Sequence, residues 1–117
     1  MKLDEILAAL SRDRTIDITT TGRTSGRPQR IELWSWVADG TVYLTGSPGR
    51  RDWYANLTAS PDFTFHLKRG VHVDLPARAR PIEDPVERRE VLTRVLAGSY
   101  DLEGWITGSP LVEVEFS

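Results

Sequence analysis

Residues Thr19 to Arg30 read TTTGRTSGRPQR, three arginines on a stretch with two glycines, a proline and no acid. Guanidinium forks bind phosphate or carboxylate oxygens in pairs. Gly22 and Gly26 permit positive φ and close approach of a ligand to the backbone. Thr24 and Ser25 add hydroxyl donors. A second stretch, Ser47-Pro48-Gly49-Arg50-Arg51-Asp52, brings two arginines to the start of a short helix. Free N–H groups and the helix dipole favour an anion there. One such loop reads first as a solvated turn. Two loops that each follow a strand of the same sheet favour an anion site, with Arg23, Arg30 and Arg50 as its cations.

Other chemistries find little to work with. The chain has no cysteine, which removes disulfides, thiolate nucleophiles and Fe–S clusters. His66 and His72 alternate with apolar neighbours and are expected on the polar side of their strands. With Asp74 they make a weak metal set, and no metal is assigned. There is no G-x-S-x-G elbow, and GRTSGRP lacks the G-K-[ST] ending of a P-loop. Such a chain suits chemistry carried by a bound organic cofactor, with the protein supplying binding, orientation and electrostatics. Hydride transfer from a flavin-type ring needs a stacking surface and a fixed substrate more than a catalytic side chain. No catalytic residue is therefore assigned; Tyr54, Tyr100 or solvent supplies a proton.

The elements that must position these loops follow from periodicity. Leu3, Ile6, Leu7 and Leu10 mark an amphipathic helix over 1–13. From Thr15 the period becomes two. RIELWSWV (30–37) and TVYLT (41–45) flank Asp39-Gly40, a hairpin signal. In the first of these, Ile31, Leu33, Ser35 and Val37 share one face, and Glu32, Trp34 and Trp36 the other. Arg51 to Leu57 reads as a short helix with Trp53 and Leu57 on one side. FTFHLK (63–68) and VHVDL (71–75) form a second hairpin. Asp84-Pro85-Val86-Glu87 starts a helix over 84–98, and LVEVEF (111–116) is a last strand. Six strands with two or three short helices predict one mainly β domain over 1–117, an antiparallel sheet or small barrel with flanking helices.

Seventeen acids against fifteen Lys and Arg give a net charge of −2, which argues against a duplex-DNA binder. Arginines interleaved with tryptophans leave single-stranded nucleic acid as a minor reading, opposed by the acidic balance. No apolar run nears the ~20 residues of a membrane span, and the N-terminus lacks signal-peptide features. A cytoplasmic protein is expected, with no nucleic acid partner and no stable membrane insertion. Trp34 and Trp36 lie on a polar face. That face is either covered by a helix or a second copy, or lines a ring-binding groove; it is the candidate homodimer patch.

Together TTTGRTSGRPQRIELW and DGTVYLTGSPGRRDWYANLTASPDFTFHLK resemble the deazaflavin-dependent nitroreductase family, over roughly Thr19 to Arg80. The resemblance implies a split β-barrel related to flavin-mononucleotide-binding proteins. It implies coenzyme F420, a 5-deazaflavin, with flavin mononucleotide (FMN) as the alternative. It implies hydride transfer to a quinone, a nitroaromatic or another conjugated small-molecule acceptor. The matching cofactor-binding positions are Arg23, Thr24, Ser25 and Arg30 on the first loop. Ser47, Pro48, Gly49, Arg50 and Arg51 follow on the second, then Trp53 and Asn56 on the W-x-x-N-L helix. Backbone N–H groups near Ser47 to Gly49 are expected against the ring edge. This chain departs from the pattern at Thr24 and Gln29, where many members carry basic residues. The competing reading on the same fold is a non-catalytic binder of a flavin, deazaflavin, haem or lipid.

Overall fold

Two kinds of hydrophobic period build this chain. The computed structural model describes residues 1–98 and 100–117. Helix α1 (Leu3–Arg12) buries Ile6, Ala9 and Leu10, and strand β1 (Thr15–Thr21) buries Ile16, Ile18 and Thr20. Strand β2 (Pro28–Ala38) pairs with β1 from Thr15↔Trp34 to Thr21↔Pro28, so the two carry the first arginine loop between them. The Asp39-Gly40 turn has positive φ at both residues, as a tight two-residue hairpin requires. It leads into strand β3 (Thr41–Thr45).

Helix α2 (Asp52–Ala59) follows the second arginine loop. Strands β4 (Asp62–Leu67) and β5 (Val73–Pro81), helices α3 (Pro85–Leu96) and α4 (Leu102–Gly108), and strand β6 (Leu111–Phe116) complete the order. The six strands close an antiparallel barrel in the order β1-β2-β3-β6-β5-β4. The main core fills the barrel with residues such as Ile16, Ile18, Leu44, Leu57, Phe65 and Val112. A second core forms outside it from Tyr43, Ile82, Val91, Leu92, Leu96, Trp105 and Leu111.

Three expectations change. Strand β5 runs from Val73 to Pro81 rather than 71–75, and His72 precedes it. Its later half, PARARP, places Ala77 and Ala79 inward and arginines outward. Small inward residues against large partners hide the usual alternation of bulky apolar groups. The helices number four among the described residues, not two or three. Helix α4 has seven residues and two glycines, and it is held by its cap: Asp101 accepts from Gly104 N–H. A Cβ at Gly104 would lie 2.5 Å from an Asp101 oxygen, so a larger residue there displaces the cap carboxylate. Lastly, β2 overshoots the core, leaving Ile31 and Val37 exposed while Ser35 is fully buried.

Trp36 is covered by the second core, edge-on to Trp105 and Tyr100. Trp34 is 56% exposed, with the Arg14 guanidinium 5.0 Å from its ring centre. His66 faces polar strand neighbours yet is buried. One ring nitrogen lies 2.6 Å from Thr19 Oγ1 and the other 2.6 Å from an Asp74 oxygen. That hydrogen bond, opposed by slight burial, holds the Asp74 carboxyl below its ordinary range.

Candidate functional site

A cleft of about 730 Å³ opens where the two arginine loops meet the start of α2 and the end of α4. Arg23, Gly49, Arg50, Arg51, Asp52 and Tyr54 line it with Ala55, Gly108, Ser109 and Pro110. Three guanidinium groups thus face one carboxylate. Arg23 and Arg50 are exposed, whereas Ser109 and Pro110 are buried. The cleft grades from a wet cationic rim to a dry uncharged wall.

The first loop is shaped by its glycines. A Cβ on Gly22 would fall 2.5 Å from Ser25 Oγ and 2.8 Å from the Gln29 amide nitrogen. Gly22 N–H donates to the Arg27 carbonyl and Gly26 N–H to that of Gly22. Ser25 Oγ accepts from Arg27 N–H, so its hydroxyl serves the turn. Asn56 holds the loop against α2. Its Oδ1 accepts from both the backbone and the guanidinium of Arg23, at 3.1 and 2.9 Å. Its Nδ2 donates to Thr20 Oγ1 and to Gln29 Oε1. The side chain, 1% exposed, is saturated by four bonds.

The second loop is folded by Arg51, which donates to the Ser47 and Arg50 carbonyls. Gly49 has φ +133°, and its N–H donates to the Gly108 carbonyl at 3.0 Å. Of the N–H groups near Ser47 to Gly49 expected against a ring edge, the Gly49 donor is engaged with α4. Among the described residues, Arg50 has no ion-pair or hydrogen-bond partner for its guanidinium. Arg51 also occupies the N-cap of α2 without a side-chain cap, so the first N–H groups of α2 lack side-chain acceptors there. Asp52, in that first turn, pairs with Arg23 at 3.2 Å.

Of the sequence-predicted residues, the cleft gathers Arg23, Gly49, Arg50 and Arg51. Thr24, Ser25, Ser47 and Pro48 stand on the surrounding loops, outside its lining. Arg30 points elsewhere, to Asp17 at 2.9 Å on the barrel exterior. Trp53 belongs to the main core, and Asn56 works behind the cleft by fixing Arg23. Tyr100 and Trp105 stack with Trp36 rather than line the cleft.

Two contributors escaped the sequence reading. Arg88 is 8% exposed and donates to four carbonyls: Ile82, Trp105, Ile106 and Ser109, at 2.6 to 3.1 Å. It fastens the α4 end and the cleft wall to α3. Arg88 sits three and four residues before Val91 and Leu92, on their buried stripe, and that spacing was the available signal. Ser109 is the other; its buried hydroxyl has no hydrogen-bond partner among the described residues. Tyr54 completes the lining. Burial, joined by the Glu83 carboxylate and opposed by Arg88, pushes its phenol above the ordinary value. It stays protonated and able to donate.

The residues present fit a phosphorylated planar ligand. Cations and an uncapped helix start stand at one end of the cleft, and a buried wall with an unpartnered hydroxyl at the other. The fold has close likenesses among solved structures. A conserved hypothetical protein of Mycobacterium tuberculosis superposes with a TM-score of 0.77 at 22% identity, covering 99% of this chain and 81% of that one. A Clostridium acetobutylicum protein of the pyridoxinephosphate oxidase family gives 0.72 at 13% identity, covering 97% and 82%. An F420-H2 dependent reductase, FDR-A, gives 0.63 at 24% identity, covering 88% and 95%. At these identities the likenesses show the barrel. Family membership comes from the sequence: the model of F420H(2)-dependent quinone reductase matches residues 5–112, a span that includes both arginine loops, α2, α4 and the Ser109 wall. With nearly the whole chain matched, this barrel belongs to the F420H(2)-dependent quinone reductase family, a family of oxidoreductases.

Proposed function

We propose that this protein reduces a quinone, or a nitroaromatic of similar shape, with hydride drawn from reduced F420 bound in the cleft. The supporting observation is the graded lining, with Arg23 and Arg50 at an exposed rim, Arg51 half-buried behind them, and Ser109 and Pro110 at a buried wall. The bound deazaflavin supplies hydride, an electron pair that converts a quinone to its hydroquinone once a proton is added.

The chain's own residues bind, orient and protonate. Arg50 offers a free fork to the phosphate, and Arg23 is held in place beside it by Asn56. Tyr54, a protonated phenol in the cleft lining, serves as the proton donor to the acceptor oxygen. FMN remains the alternative cofactor, because the same rim and wall suit any phosphorylated isoalloxazine-like ring. We also propose a homodimer contact through the exposed Trp34 of β2, which a monomeric wild-type chain in sedimentation overturns.

The test is turnover. Reduced F420 mixed with menadione is expected to be reoxidised only when the protein is present. Reoxidation with reduced FMN alone moves the protein to the flavin alternative. Tight binding without turnover of any quinone or nitroaromatic supports the non-catalytic reading instead.

A further inference from the structure

Ser109 sits at the inner wall of the cleft, 6% exposed, with its hydroxyl unpartnered among the described residues. Its backbone groups are both engaged: N–H donates to the Trp105 carbonyl at 3.0 Å, and C=O accepts from Arg88 at 2.6 Å. On either side the wall is pinned again. The Gly108 carbonyl accepts from Gly49 N–H, and the Pro110 carbonyl accepts from Thr45 Oγ1 at 2.6 Å. A closely fastened segment beside the cleft therefore holds one buried, unspent polar group.

Burying a hydroxyl without a partner is unfavourable, and alanine in its place avoids that cost. The hydroxyl makes sense if its partner arrives with a ligand. Rotation about χ1 changes the direction of Oγ without moving the pinned backbone. The other polar lining groups have different work. Arg23 pairs with Asp52 and Asn56, Arg51 folds its own loop, and Arg50 stands at the exposed rim. A phosphate keeps to the cations and to water. The uncharged end of the ligand is what reaches Ser109.

We infer that Ser109 hydrogen-bonds the polar edge of the planar ring, through a ring carbonyl or N–H, and so selects ligands that present such an edge at the buried wall. The inference rests on the proposed cofactor reading. A hydroxyl both donates and accepts, so either edge chemistry satisfies it.

Two measurements on the intact chain decide it: binding of oxidised F420 by fluorescence titration, and thermal unfolding of the ligand-free protein. For Ser109→Ala the ligand-free midpoint is expected to stay or rise, while F420 affinity falls about tenfold. The deazaflavin stripped of its phosphate separates the two ends of the site. With it, Ser109→Ala still weakens binding, and Arg50→Gln, harmful with F420, no longer matters. Unchanged F420 affinity in Ser109→Ala beside a wild type that binds overturns this inference alone. A ligand-free midpoint that drops together with affinity gives Ser109 a structural role and also overturns it. A wild type that fails to bind F420 brings down the proposed function and this inference together.

Discussion

Asn56 joins three segments with one side chain, and its four bonds make it the residue on which the Arg23 loop depends. Asn56→Ala leaves the buried Thr20 hydroxyl and the Arg23 backbone N–H without this partner. We expect a loss of about 1–3 kcal/mol in denaturant unfolding, with faster amide exchange at residues 22–27. An unchanged midpoint contradicts this. Asp17 carries a pH signature. Burial raises its carboxyl, but hydrogen bonds and charge from Lys68 and Arg30 outweigh that and hold it below the ordinary range. A carboxyl lowered in the folded state stabilises above its unfolded value of about 4 and loses that contribution as pH falls through the folded value. Acid unfolding of the wild type is therefore expected to be steeper below about pH 4 than that of Asp17→Asn. Matching acid profiles contradict the assignment. At this scale the arginines were legible in the sequence because charge beside glycine is conspicuous. Which of them face the cleft was not. Arg30 lies directly across the hairpin from Thr19 and is drawn to Asp17 by the register, which no loop motif encodes.

Among the elements around the candidate site, α4 was least visible in advance; its last residue and the two that follow supply Gly108, Ser109 and Pro110 to the cleft. Its seven residues include Gly104 and Gly108, so composition hides it. Both glycines answer to contact: Gly104 to the Asp101 cap, and Gly108 to Pro48, whose Cβ would lie 3.3 Å from an added Cβ. Strands β1, β3 and β6 were legible because bulky apolar residues alternate along them. Strand β5 was cut short because alanine, not leucine, faces the core. Arg88 is the tie between α3 and α4. Arg88→Ala removes a donor from four carbonyls, of which Trp105's keeps the Ser109 N–H, and we expect about 3 kcal/mol or more of lost stability. The volume-matched Arg88→Met restores packing but not those bonds, so it is expected to recover only part of the loss. Full recovery in thermal unfolding makes Arg88 a packing residue and contradicts its role as the fastener of the cleft wall.

At the scale of the whole molecule, the strands close a barrel, and the candidate site sits where two loops from its strands meet helices α2 and α4. Among the described residues, no helix is long and apolar enough to cross a membrane. If the cleft is one site built by the native fold, a ligand that fills it stabilises the folded chain by mass action. F420 at a hundred times its dissociation constant is expected to add about 2.7 kcal/mol, seen as a raised unfolding midpoint. The most direct test of the account removes the rim cations and asks whether the ligand leaves. Oxidised F420 is titrated into the wild type and into an Arg23→Gln/Arg50→Gln variant whose fold is verified by circular dichroism. Saturable binding of one F420 per chain is expected for the wild type, with a loss of about a hundredfold or more in the variant, since each guanidinium–phosphate contact contributes roughly 1.5–3 kcal/mol. Equal affinity in the two proteins contradicts this, and moves the cofactor away from the arginine loops.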